Sequence, residues 1–132
     1  MAIKKTCYED GGIEYEISGI LTDKVLSELN KELYQDEKQI KQISYQILNV
    51  SNIEGIEVTD EQILRNAEED KRAFSINPKM RIAILVNSDL AFGLSRVWEA
   101  NTYNMFAHND NCGVFRNRSE LIEWLKSEAK NP

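Results

Sequence analysis

Apolar and polar positions alternate with a period of two over residues 13–18. Ile13, Tyr15 and Ile17 fall on one side, and Glu14, Glu16 and Ser18 on the other. That pattern predicts an antiparallel strand with one face on a core. Residues 3–8 predict its hairpin partner, because Glu9-Asp10-Gly11-Gly12 supplies the positive φ a tight turn needs. Gly19-Ile20-Leu21 then leads into a first helix. Thr22 is its N-cap and Asp23 stands in its first turn. Val25, Leu26, Leu29 and Leu33 form its apolar stripe, and it runs to about Gln35. The polar residues 36–42 read as a solvated linker.

Residues 45–50 predict a third strand and residues 51–58 a loop. Thr59 with Gln62 three positions on is a capping box. It opens a helix to about Ser75, with Ile63, Leu64, Ala67 and Phe74 inward, ended by Asn77-Pro78. Residues 80–86 are apolar without alternation, so they predict a central parallel strand buried on both faces. Asn87-Ser88-Asp89 offers caps for a third helix with Leu90, Leu94, Val97 and Trp98 on its core face, ending near Phe106. A turn at residues 109–111, a short strand at 112–115 and a last helix follow. That helix carries Leu121, Ile122, Trp124 and Leu125 and is capped by Asn117 with Glu120 three residues on. The order β-β-α-β-α-β-α-β-α implies one α/β domain over residues 1–132, a mixed five-stranded sheet with helices on both faces.

Composition narrows the function. A net charge of −6 works against nucleic acid, and the best basic cluster is only Arg116 with Arg118. The two cysteines, Cys7 and Cys112, lie on predicted strands without a CxxC spacing, so each reads as a small buried hydrophobe. The longest apolar run, residues 82–86, is far short of the ~20 residues of a membrane helix. The first residues, MAIKKTCYEDGG, carry no apolar leader segment, which makes a cytoplasmic location the expectation.

Catalytic patterns are missing. His108 is the one histidine and falls in a polar turn, which leaves neither a Ser-His-Asp set nor a histidine-rich metal site. No Gly-rich phosphate loop is present, and no cofactor is implied. Glu68, Glu69 and Asp70, followed by Lys71 and Arg72, read as a solvated charged face. The expectation is a non-enzymatic protein. The more distinctive segment is residues 87–96, because open α/β sheets bind ligands beyond the carboxyl ends of their strands. Asn49, Ser51, Asn87, Phe92 and Arg96 are the candidate ligand-binding residues there. Phe92, Gly93 and Arg96 share one helix face, with Gly93 read as a point of close helix–strand approach. Thr59 is a candidate phosphoacceptor, since a phosphate at a helix N-terminus meets free amides. Exposure of Trp98, Tyr103, Met105 or Phe106 would make the third helix a homodimer face.

The runs Arg81-Ile82-Ala83-Ile84-Leu85-Val86, Ala91-Phe92-Gly93-Leu94-Ser95-Arg96-Val97-Trp98-Glu99-Ala100, Val114-Phe115-Arg116 and Glu120-Leu121-Ile122-Glu123-Trp124-Leu125 resemble the bacterial SpoIIAA-like family, also called STAS/SEC14-like or CRAL-TRIO-like domains. Gly19-Ile20-Leu21-Thr22 resembles that family's approach to its first helix. The resemblance covers most of the chain and implies the same mixed sheet. Its STAS side implies a regulatory domain that binds a partner protein, sometimes switched by phosphorylation at the start of the second helix. Its SEC14 side implies a pocket for a lipid or other small apolar or anionic ligand. The chain departs from the Asp-Ser-Ser-Gly-like run of the anti-anti-sigma pattern: its corresponding segment is Val58-Thr59-Asp60-Glu61.

Overall fold

A computed structural model of the chain describes residues 2–103 and 111–127. Five strands form one sheet in chain order: β1 (Ala2–Cys7), β2 (Gly12–Thr22), β3 (Tyr45–Glu57), β4 (Arg81–Leu85) and β5 (Cys112–Phe115). β1 and β2 are antiparallel, and every other neighbouring pair is parallel. The hairpin turns at Gly11, whose φ of 90° lies in the left-handed region. Gly12 is already strand, and its bare α-carbon makes room for the Tyr45 ring, which a Cβ there would overlap.

The helices are α1 (Asp23–Leu33), α2 (Glu37–Gln42), α3 (Asp60–Ile76), α4 (Asp89–Tyr103) and α5 (Arg118–Lys126). Helices α1 to α4 cover one face of the sheet around Ile17, Val25, Ile40, Phe74, Met80 and Trp98. Helix α5 alone covers the other, over Ile47, Ala83 and Leu85. It is attached at three points. Arg118 reaches Glu14 on β2 at its start, Leu121 is fully buried at its middle, and Arg81 on β4 holds its end. The Arg81 guanidinium donates to the Trp124 and Ser127 carbonyls at 2.6 and 3.0 Å and lies 4.4 Å from the Trp124 ring. A cation on the last carbonyls of a helix is favoured by its dipole. One helix covers β3 to β5 only, so the outward face of β1 and β2 stays open.

The caps at Thr22, Thr59 and Asn117 form as expected, and Thr59 with Gln62 makes the complete capping box. Several other expectations are corrected. Residues 37–42 form helix α2, capped by Asp36 and pinned by the fully buried Ile40. Gly19-Ile20-Leu21 belongs to β2, and the expected loop at 51–57 belongs to β3, because these two stretches pair with each other. β4 is fully buried and parallel on both sides, but the middle strand of the sheet is β3.

Helix α4 faces the core through Ala91, Ser95, Trp98 and Thr102, so Trp98 is inward as expected and Leu94 is half-buried. Leu90 is 61% and Val97 37% exposed. Leu90 and Val97 are therefore corrected to the outer side, and the small residues Ala91, Ser95 and Thr102 fill the inward positions beside Trp98. Gly93 lies on the outer side with no atom within 4 Å of a Cβ there, so it permits no close contact. Trp98 is buried and is not part of a dimer face. The Tyr103 side chain, Met105, Phe106 and His108 lie outside the described residues. Leu64 is 41% exposed, Asp70 is buried, and Cys7 on the edge strand is exposed while Cys112 is buried.

Candidate functional site

Three places could carry function: the carboxyl end of the sheet, the open face beside α5, and the interior between the sheet and α1, α3 and α4. At the carboxyl end, β2 and β3 run on past their neighbours. β1 pairs with β2 no further than Ser18, and β4 pairs with β3 no further than Asn49. The remaining pairs, Ser18↔Asn52 to Thr22↔Glu57, form a two-stranded parallel arm. At ~3.3 Å per residue, β3 extends about 25 Å beyond its last partner on β4. The pairing shifts twice along the arm, and Gly19 takes up the second shift with a φ of 86°.

The sequence-predicted residues reach this end on two faces. Asn49 is buried on the α5 face, and its side-chain oxygen accepts from the Ser51 hydroxyl at 2.6 Å and backbone N–H at 3.0 Å. Asn87 is exposed just after β4. Phe92 packs against the opposite core, with the Arg96 guanidinium 5.9 Å from its ring centroid. Sequence reasoning missed Arg116, which lies over the same ring at 4.6 Å and donates to Asp89 at 2.7 Å. Arg96 pairs with Glu99 at 3.1 Å. The structure therefore joins Phe92 to Arg96 and Asn49 to Ser51, but not the two pairs to each other. The two arginines of the expected basic cluster diverge, Arg116 to this end and Arg118 to the open face. Thr59 is exposed at the start of α3, its hydroxyl oxygen accepting the Gln62 N–H at 3.2 Å. Removing this cap costs about 1 kcal/mol, so Thr59→Ala is expected to lower the denaturation midpoint slightly in a urea titration.

On the open face, Lys4 and Thr6 of β1, Tyr8 just after it, Glu14 and Glu16 of β2, Asn49 of β3 and Arg118 of α5 line a polar groove of about 250 Å³. Its floor is Glu14, buried and held by Arg118 at 2.7 and 2.9 Å and by the Tyr8 hydroxyl at 2.6 Å. The Arg118 guanidinium, helped by Tyr8 and Asn49, holds the Glu14 carboxyl below its ordinary value against the opposing effect of burial. Glu14 in turn raises the Tyr8 hydroxyl. Both carboxylate oxygens are engaged, so the pair acts as a clamp on α5. Arg118→Ala is expected to cost about 1–2 kcal/mol, since the buried Glu14 carboxylate loses its half-exposed cation. A lowered carboxyl contributes stability above its unfolded value, lost as the pH falls through the folded one. The variant should therefore lose most near neutral pH and converge on the parent in acid, as thermal melts across pH would record.

The interior space is about 70 Å³, lined by Leu26, Ile56, Ile63, Ala91 and Leu94 with Asp70 and Gln46. Pockets for drug-sized ligands run to roughly 300–1,000 Å³, so this space is too small for a lipid. Asp70, expected on a solvated face, is buried, and unlike Glu14 it has no cation beside it among the described residues. Burial pushes it up to about 6, although the Tyr34 hydroxyl at 2.6 Å and the Trp98 indole N–H at 2.7 Å donate to it. Cys112 is likewise a thiol raised by burial, to about 12. Among the described residues, no three histidine, cysteine or acidic side chains gather to hold a metal ion, and no helix is long and apolar enough to cross a membrane.

With its strand order, its mixed pairing and its unequal helix layers, the chain has the SpoIIAA-like (STAS) fold. Two solved structures carry that likeness over nearly the whole chain. One is the anti-sigma factor antagonist SpoIIAA in its unphosphorylated form, with a TM-score of 0.60, 11% identity, and coverage of 96% of this chain and 100% of that one. The other is the Bacillus cell fate determinant SpoIIAA in the phosphorylated form, with a TM-score of 0.57, 10% identity and coverage of 95% and 100%. No protein-family profile matches the sequence, and no curated protein matches it.

Proposed function

We propose that this chain is a non-enzymatic regulatory domain of the STAS-like type that works by binding a partner protein at the carboxyl end of its sheet. The observation that carries the reading is the end-to-end likeness of fold to an anti-sigma factor antagonist. The surface supports it. Ile20 (38% exposed), Leu64 and Leu90 project near that end, where exposed apolar groups favour protein contact. Thr59 lies in the same region and is the hydroxyl through which phosphorylation would act on that surface. A phosphate there would gain the first amides of α3 and meet the carboxylates of Asp60 and Glu61, altering the charge a partner faces.

Photo-crosslinking in the source cell tests the reading. A photoreactive residue replaces Leu90 at the carboxyl end, or Lys38 on α2 as a distant control. A protein adduct of defined mass from position 90 and none from position 38 supports it. Absence of any protein adduct, together with a small molecule retained in native mass spectrometry, overturns it in favour of a ligand-binding protein.

A further inference from the structure

Among the described residues, the arm made by β2 and β3 leaves two strand edges without a partner, residues 19–22 of β2 and the longer 52–57 of β3. Among the described residues, β3 from Asn52 to Glu57 has β2 on one side and no strand on the other, because β4 has already ended. A strand edge presents alternating N–H and C=O groups that another extended chain can pair with. Natural sheets often blunt such edges with lysine, proline or a covering element, and β1 carries Lys4 and Lys5 in this way. The 52–57 stretch of β3 carries neither lysine nor proline. Its exposed side chains are Asn52, Glu54 and Glu57, and the chain continues directly into Asp60 and Glu61. Among the described residues, none of those four carboxylates takes part in an ion pair. Asn52 is held to the arm by its bond to Glu16 at 2.9 Å. Apolar surface adjoins the edge at Ile20, whose side chain lies across Gly55.

We propose that the 52–57 edge of β3 accepts an extended, lysine- or arginine-bearing segment of the partner protein as an added strand. The occupant follows from the chemistry. Main-chain pairing supplies the affinity, alternate apolar side chains of the segment rest beside Ile20, and its cations face Glu54, Glu57, Asp60 and Glu61. An acidic segment meets repulsion along the whole edge. A helix leaves the strand's main-chain groups unpaired. The proposal rests on the partner-binding reading and specifies how the partner docks.

A synthetic capped peptide of alternating lysine and valine serves as the probe, with alternating glutamate–valine and proline-interrupted lysine–valine peptides as controls. Amide hydrogen exchange on the full chain reads the site. The expected result is slowed exchange confined to residues 52–57 with the first peptide alone. Glu54→Lys combined with Glu57→Lys, both at exposed positions, should weaken it by about tenfold or more. Glu28→Lys on α1 should leave it unchanged. Protection elsewhere, equal binding of the proline-interrupted peptide, or no protection at about 1 mM peptide overturns the proposal. A crosslinked partner that leaves 52–57 unprotected overturns the strand pairing while the regulatory reading stands. Peptide pairing at 52–57 in a chain that crosslinks to no protein leaves the edge chemistry in place and overturns the regulatory reading.

Discussion

Leu121→Ala is expected to destabilise the protein by about 3 kcal/mol. Leu121 is the fully buried residue of α5 and packs in the small core with Ile47, Ala83 and Leu85. The four helices on the other face share a much larger core, but this face has one helix and one such anchor. Truncation removes three carbons from contact and leaves a space that Ile122, Trp124 and Leu125, all partly exposed, cannot easily fill. For a chain of this size the loss corresponds to roughly 10 °C in Tm, measurable by calorimetry. Leu64→Ala on α3, at a side chain already largely in water, should shift Tm by no more than about 2 °C. Equal losses in the two variants would mean that α5 is not held by this contact.

The second large effect concerns proton binding by Asp70. Its folded value of about 6 lies above the ordinary 3.8, so the folded chain holds the proton more tightly than the unfolded one. Stability from this group is therefore fully present below the unfolded value and is lost as the pH rises through about 6. Two pH units correspond to about 3 kcal/mol in all, of which about 1.5 kcal/mol falls between pH 5 and 7.5. Around the carboxyl are Tyr34 at the C-cap of α1, Gln46 from β3 bonded to Tyr34, Trp98 from α4, Cys112 from β5 with Glu99 of α4 beside it, and Glu69 on α3 itself. None of them is a cation. The parent protein should therefore melt at a higher temperature at pH 5 than this group would permit at pH 7.5. In Asp70→Asn that contribution vanishes. The difference between parent and variant melting temperatures, followed from pH 7.5 to 5, should move in the parent's favour. A difference that is flat with pH would show that Asp70 does not titrate in this range.

The candidate site was only partly legible in the sequence. The pairing of Phe92 with Arg96 follows from helical spacing, and the structure shows it at 5.9 Å. Arg116, which completes that cluster from beyond β5, has no local signal pointing to Phe92. The arm was hidden because residues 51–57 lack the alternation of a strand with one buried face, and Gly55 reads as a turn. The stretch is strand because β2 offers it a partner along its full length. Asp70 sits in a run of charged residues whose spacing on α3 also suits a solvated face. Its burial depends on Tyr34 and Trp98, which arrive from two other helices.

By itself the sequence determined the order of the elements apart from the short helix α2, the three helix caps at Thr22, Thr59 and Asn117, and the burial of β4. Caps are hydrogen bonds closed within two or three residues, and a strand buried on both faces reads as a nearly continuous apolar run, broken in β4 only by Arg81, so both are written locally. Only the tertiary structure decided the phase of α4, the length of β3, the clamp between Glu14 and Arg118, and the buried carboxyl of Asp70. Each depends on groups far apart in the chain, and the folded state alone brings them close enough to outweigh the cost of taking polar groups out of water.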